Sequence, residues 1–225
     1  MTHTDKVSVV EIPSIKMNRL TLRDQVHQTL LNSITDGTLR PGSVLLETEL
    51  AESFGVSRGT VREALRSLQQ AGLVDSDSRG RSAVHEPTPR EIQELFRVRA
   101  ALEGLAIREI IELPNRQEIV AELRKQLPPT QKGEFNTVLN KDLAFHEQIC
   151  RASGNTILLN SWKHLEAQMR IGLFAAAREE SLEIMDGNRH IPVLDAIENG
   201  DPAAAEEIIR AHMEEASLQW DSSMS

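Results

Sequence analysis

With 225 residues, 40% hydrophobic content and a net charge of −9, the chain suits one large domain or two small ones. Its longest apolar runs, such as "TILL" and "LFAAA", are far too short to span a bilayer, and "MTHTDKVSVV" lacks the features of a secretion signal. The expected location is therefore cytoplasmic, with no membrane partner.

Residues 1–18 have no apolar periodicity and read as a mobile arm. A helix is expected over "LTLRDQVHQTLLNSITDG", with Thr21 and Asp24 spaced as a capping box, Leu22, Val26, Leu30 and Ile34 on one side, and Gly37 as the stop. "LRPGSVL" reads as a turn. "ETELAESFG" predicts a short second helix carrying Leu50, Ala51 and Phe54 inward, and Gly55 permits a sharp turn into a third.

In that third helix Arg58, Arg62 and Arg66 fall at i, i+4 and i+8, whereas Val61, Ala64, Leu65 and Leu68 follow the packing spacing. One face packs and the other reaches out. After Gly72, "LVDSDSRGRSAVHE" has short apolar ends around a polar tip, the pattern of a small hairpin. Helix, tight turn and second helix is the geometry that places an α-helix in the DNA major groove, where arginine pairs with guanine. The hairpin is then a wing, with Arg79 and Arg81 flanking Gly80 at its tip. Arg66 is expected at phosphate or solvent, and Glu63 as the ion partner of a nearby arginine.

Charge divides the chain at the same place. Residues 1–85 carry 10 Lys+Arg against 10 Asp+Glu, and residues 86–225 carry 15 against 24, so acidity excludes nucleic acid only from the second part. "EPTP" at 86–89 reads as a linker. Helices are expected near 90–112, 115–126, 134–152, 156–177, 179–199 and 202–219, an all-α bundle. The first of these is apolar on more than one side, so it is central or buried in a dimer. Cys150 cannot form an intrachain disulfide and reads as a small buried hydrophobe.

Asp142 and His146 stand at i, i+4 on one helix face, and His190 and His212 lie on two later helices. Their meeting at a metal is one possibility, and separate satisfied polar residues the other. Arg99 and Glu103 are spaced as a helix ion pair. His164 and Glu147 read as solvated or structural, and Asn155 as a helix cap.

Residues 34–74, with Gly37, Pro41-Gly42, Leu50-Ala51, "GVSR" at 55–58, "VREAL" at 61–65 and Gly72-Leu73, resemble the winged helix-turn-helix of the GntR family of bacterial transcription regulators. The resemblance implies DNA contacts by Ser57, Arg58, Thr60 and Arg62 and a wing-tip glycine near the groove. Thr48 stands where the family commonly has a basic residue. The segments from Arg99 to Glu103, "DLAFHEQICRASGN" and "RHIPVLDAIENGDPAAAEEIIRAHM" resemble the FCD effector domain of the FadR subfamily. That resemblance implies a divalent metal at Asp142, His146, His190 and His212; imidazole plus one carboxylate suits zinc, nickel, manganese or iron, with zinc expected first. It also implies an effector-binding Arg99, with Arg170 a second candidate, and small organic or sugar acids rather than acyl-CoA as effectors. The short 124–142 connection implies that an additional helix of some members is missing.

The expected organisation is thus a mainly α chain. An arm (1–18) precedes a winged helix-turn-helix of three helices and a hairpin (19–85), a linker (86–89) and a bundle of about six helices (90–221) for effector binding and dimerisation. The expected function is a ligand-responsive homodimer on a palindromic operator, a non-enzyme. The alternatives are a metal-dependent hydrolase using the three-histidine, one-aspartate site, or a DNA-binding dimer with a purely structural metal.

Overall fold

The fold is that of a computed structural model, which describes residues 20–78, 80–128, 133–175 and 181–224. The expected arm and Arg79 lie outside the described residues.

Helix α1 (Leu22–Thr35) starts at the predicted capping box. Thr21 accepts from the Asp24 backbone and Asp24 reaches back to that of Thr21, while Val26, Leu30 and Ile34 are buried. Leu22, expected on the same side, is exposed at the first residue of the helix. Helix α2 (Glu47–Phe54) ends at Gly55, whose φ of 63° provides the left-handed turn into α3 (Arg58–Gln70).

The expected turn at 39–45 contains a strand. Val44–Leu45, as β1, pairs antiparallel with β3 (Ser82–Val84), which also pairs with β2 (Val74–Ser76), giving the sheet order β1-β3-β2. Two residues are too few to show strand alternation in a sequence. Leu45, Val74 and Val84 turn inward onto Ala51, Val61, Leu65 and Leu68 to close the first core.

Thr88 caps the next helix in a second capping box with Glu91, so α4 (Pro89–Glu112) begins at the last linker residue. It is followed by α5 (Arg116–Arg124), α6 (Phe135–Ala152) and α7 (Thr156–Ala175). Asn155 caps α7, its side-chain oxygen accepting from Leu158 N at 3.0 Å. The single helix expected at 179–199 is broken into α8 (Ser181–Ile184), a 3-10 turn (Gly187–His190) and α9 (Ile191–Asn199). Asp186 caps the turn through Asn188 N, and any side chain at Gly187 would collide with the Pro128 carbonyl. Pro192 then suits the first turn of α9. Helix α10 (Pro202–Met224) lies along α4, the central helix of a second core that includes Ile107, Leu139, Leu143, Trp162, Leu194 and Ile209.

Helix α7 belongs to both cores. Trp162 is buried in the second, while Ile171 is 1% exposed within the first. Gln168 Nε2 donates to Ala71 O at 2.9 Å, and Phe174 packs so closely on Gly37 that an added Cβ would stand 2.7 Å from its ring. From α6, Asn136 donates to Asp36 O at 3.1 Å. The two units therefore meet through packed side chains as well as through the chain at 85–88.

Candidate DNA-reading face and candidate metal centre

The packing spacing of α3 holds: Val61, Ala64, Leu65 and Leu68 are buried, which turns Arg58, Arg62 and Arg66 outward. Ser57 is the N-cap, accepting from Thr60 N at 3.1 Å, with the two hydroxyls 2.9 Å apart. Arg66 pairs with Glu63 at 2.9 Å, the ion pair anticipated for that glutamate.

Arg62 is held from outside its own helix: its Nε and Nη2 donate to the two oxygens of Glu47 at 2.8 and 2.6 Å, and Arg58 Nη2 lies 3.8 Å from the same carboxylate. That contact has no local signature, because the residues are 15 apart. At the wing, Gly80 has a φ of +74° with open space around it, and Arg81 is clasped by Asp77 through its backbone N and its Nε.

In the helical unit, α6 presents Asp142 and His146 one turn apart, the 3-10 turn presents His190 and α10 presents His212; all four are at most 8% exposed. The ligand atoms of the histidines lie within 4.8 Å of one another. His146 Nε2 is 3.0 Å from His190 Nε2, and Asp142 Oδ1 is 3.1 Å from His190 Nε2 and 3.8 Å from His146 Nε2.

The opposite ring nitrogens face acceptors. His146 Nδ1 is 2.6 Å from Glu103 Oε2, and His190 Nδ1 is 3.1 Å from the Asp186 carbonyl. With a proton on each Nδ1, both Nε2 atoms aim lone pairs at each other and at a carboxylate, an arrangement that needs a cation between them. Two donors at right angles on an ion with bonds of about 2.1 Å stand about 3 Å apart, so the closest spacings fit adjacent coordination positions. The donor set fits a divalent metal.

Burial first, and then the Arg99 charge, push the His146 pKa well below the ordinary histidine value. Burial and the neighbouring His146 and His190 do the same to His212. Burial would raise the Asp142 pKa, but His146, His190 and Arg99 outweigh it and hold the carboxyl below its usual range. Imidazoles that resist protonation beside an ionised carboxylate are ready for a metal.

Behind the histidine cluster lies a second buried layer. Glu103 accepts from Arg99 Nε at 2.8 Å and from Trp162 Nε1 at 3.0 Å, while its other oxygen faces His146. The spacing of Arg99 and Glu103 gave the pair, but the pair is interior rather than on the helix surface. Trp162 carried no signal, since its partner is 59 residues away. Arg99 Nη2 is buried without a hydrogen-bond partner, 3.9 Å from Asp142 Oδ2.

Arg170 is placed elsewhere. It bonds Glu166 and Asn140 and lines a cavity of about 520 Å³ between α1, α6 and α7. His164 caps back onto Asn160 O, and Glu147 pairs with Arg151 and Lys163. Burial raises the Cys150 thiol pKa far above its usual value, leaving an unreactive core residue.

A recognition helix with a wing, joined to a helical unit carrying a histidine cluster, defines a two-part regulator. The chain belongs to the gntR family of bacterial regulatory proteins: residues 22–84 match that family, and residues 94–215 match the FCD domain that marks its FadR-like subfamily. It is a transcription regulator.

Among its relatives, HTH-type transcriptional regulator McbR of Escherichia coli is 31% identical over 70% of this chain and 73% of its own. The "Uncharacterized HTH-type transcriptional regulator YdhC" of Bacillus subtilis is 34% identical over 63% of this chain and 65% of its own, so the match spans just under two thirds of that relative. A "Probable D-xylose utilization operon transcriptional repressor" of Paenarthrobacter nicotinovorans is 28% identical over 91% of each chain. The solved structure of E. coli McbR/YncC superposes with a TM-score of 0.68 at 25% identity, covering 92% of this chain and all of that one. Among the described residues no helix is long and apolar enough to cross a membrane.

Proposed function

We propose that this regulator binds a palindromic DNA operator as a homodimer in the cytoplasm, and that a small organic or sugar acid controls it by binding at a divalent metal. Ser57, Arg58, Thr60, Arg62, Arg79, Gly80 and Arg81 form the DNA-contacting set. Asp142, His146, His190 and His212 hold the metal, with zinc preferred and nickel, manganese or iron also suited to the donors. Arg99 receives the acid.

The observation that carries the effector reading is the buried Arg99 Nη2 left without a partner beside the metal-ligand cluster. A buried guanidinium nitrogen with nothing to bond is costly, and a carboxylate restores what is missing. Local charge supports this: Arg99 and Glu103 cancel, Asp142 contributes one negative charge, and a divalent ion leaves one positive charge for an anion to neutralise. The residues supply binding and orientation rather than turnover, so the chain acts as a receptor and not as an enzyme. A metal-dependent hydrolase would instead show turnover that disappears in His146→Ala.

A dimer is supported by an apolar strip on α4, where Val98 and Leu105 are 48% and 39% exposed, with Leu218 of α10 also exposed. Two wings related by a twofold axis would read half-sites about 34–36 Å apart.

The test is selection of bound fragments from genomic DNA by the purified protein, followed by titration of candidate acids. A palindrome beside one operon, with operator affinity that shifts for one acid and does not shift in Arg99→Met, supports the reading. Affinity indifferent to every acid, with chelation lowering only the melting temperature, would mean a purely structural metal.

A further inference from the structure

We infer that Glu47 is a positioning residue for DNA reading, which orients the Arg62 guanidinium for a guanine and suppresses its attraction to phosphate. The inference rests on the reading of Arg62 as a base contact.

Three observations carry it. The first is the way in which the guanidinium is held. Arginine offers five N–H donors in a planar fork. Glu47 takes the Nε hydrogen and one Nη2 hydrogen, at 2.8 and 2.6 Å. The end of the fork, one hydrogen on Nη1 and one on Nη2, stays free, and that pair matches guanine O6 and N7. The side of the group is clamped while its reading edge is left open.

The second is exposure. The Glu47 side chain is 19% exposed and that of Arg62 is 48% exposed. The carboxylate sits back against the protein at the first residue of α2, where the helix N-terminus favours negative charge, and the arginine stands forward. The Glu47 pKa is lowered, chiefly by the hydrogen bond from Arg62, so the carboxylate stays ionised.

The third is charge. Glu47 also lies 3.8 Å from Arg58, so one carboxylate serves both outward arginines at the start of α3. Non-specific binding grows with the number of phosphates that basic side chains neutralise. A carboxylate among those side chains lowers that number and leaves a hydrogen-bonded base contact largely intact, which favours the specific site.

The experiment uses full-length protein and a pool of duplex DNA with a randomised tract, selected and sequenced for wild type, Arg62→Lys, Glu47→Gln and Glu47→Asp. Melting by circular dichroism checks that each is folded. Wild type should enrich guanine at one position of each half-site, and Arg62→Lys should erase that preference. Glu47→Gln should weaken the guanine preference at that same position by roughly tenfold. It should also bind unselected DNA more tightly, with a salt dependence steeper by about one unit.

Glu47→Asp keeps the charge but is one methylene shorter and cannot reach both donors, so it should lose the guanine preference without gaining affinity for unselected DNA. It also carries the test should the glutamine variant melt too early. Unchanged guanine preference in Glu47→Gln, or an equal loss at every position, overturns the inference, since the second result is what a merely structural role predicts. Full preference in Glu47→Asp overturns the two-point clamp. If Arg62→Lys leaves every position unaltered, it is the reading of Arg62 that fails, a result distinct from the others.

Discussion

Trp162 donates its indole N–H to Glu103 Oε1 at 3.0 Å, and the other Glu103 oxygen lies 2.6 Å from His146 Nδ1. A single carboxylate thereby ties helix α7 to a metal-ligand candidate. Glu103→Gln replaces one acceptor oxygen by an NH₂ group, which must face a donor at Arg99, Trp162 or His146. Metal affinity should fall by roughly tenfold to a hundredfold, as for other residues behind a ligating histidine. Competition with a chromogenic chelator measures it, and unaltered affinity would mean that His146 is oriented without Glu103.

Acid should destabilise the metal-free protein in two steps. Folding lowers the pKa values of His146 and His212, so below about pH 6.5 the unfolded chain takes up protons that the folded chain refuses, and stability is lost as pH falls. The lowered Asp142 pKa acts in the same direction at more acid pH: its contribution is present above about pH 3.9 and is lost as pH falls toward the folded value. Urea unfolding midpoints of chelator-treated protein at stepped pH check this. His146→Asn should flatten part of the upper step.

Ile171→Ala should loosen the DNA-binding unit although the residue is not part of it in sequence. Ile171 is 1% exposed in that core, and removal of such a side chain costs about 2–5 kcal/mol. Scanning calorimetry should show the N-terminal unit melting earlier, as a transition separated from that of the helical bundle. One transition shifted as a whole would indicate that the two cores unfold only together.

A charge on the exposed strip of α4 should affect assembly rather than folding. Leu105→Glu in combination with Val98→Glu adds two charges where the side chains are already 39% and 48% exposed, so the monomer should tolerate them. Sedimentation should then report a single chain and operator affinity should fall. A variant that remains dimeric would move the interface to another face.

Much of this architecture was legible because its signals are local. Thr21 with Asp24, Gly55, and the opposed spacings of Arg58–Arg62 and Val61–Leu65 each act within a turn of helix or so. The four residues of the buried cluster were singled out through family resemblance, and Asp142 and His146 were paired by spacing, but nothing within the sequence brought His190 to them. The break of the 179–199 helix had local marks, the Asp186 cap on Asn188 N and Pro192 at the start of α9, which the helical spacing on either side outweighed; the close approach of Pro128 to Gly187 had none. Trp162, Glu47 and the placement of Arg170 were illegible for the same reason, since each depends on contacts between helices that only the fold brings together.

The sharing of α7 has a consequence for engineering chimaeras. A cut at the 86–89 linker divides the chain between its two units, yet it leaves the grafted DNA-binding half facing foreign counterparts of Ile171, Gln168 and Phe174. A transplant of operator specificity between relatives would have to carry the last turns of this distant helix as well, because part of the DNA-binding core is encoded about a hundred residues downstream of α3.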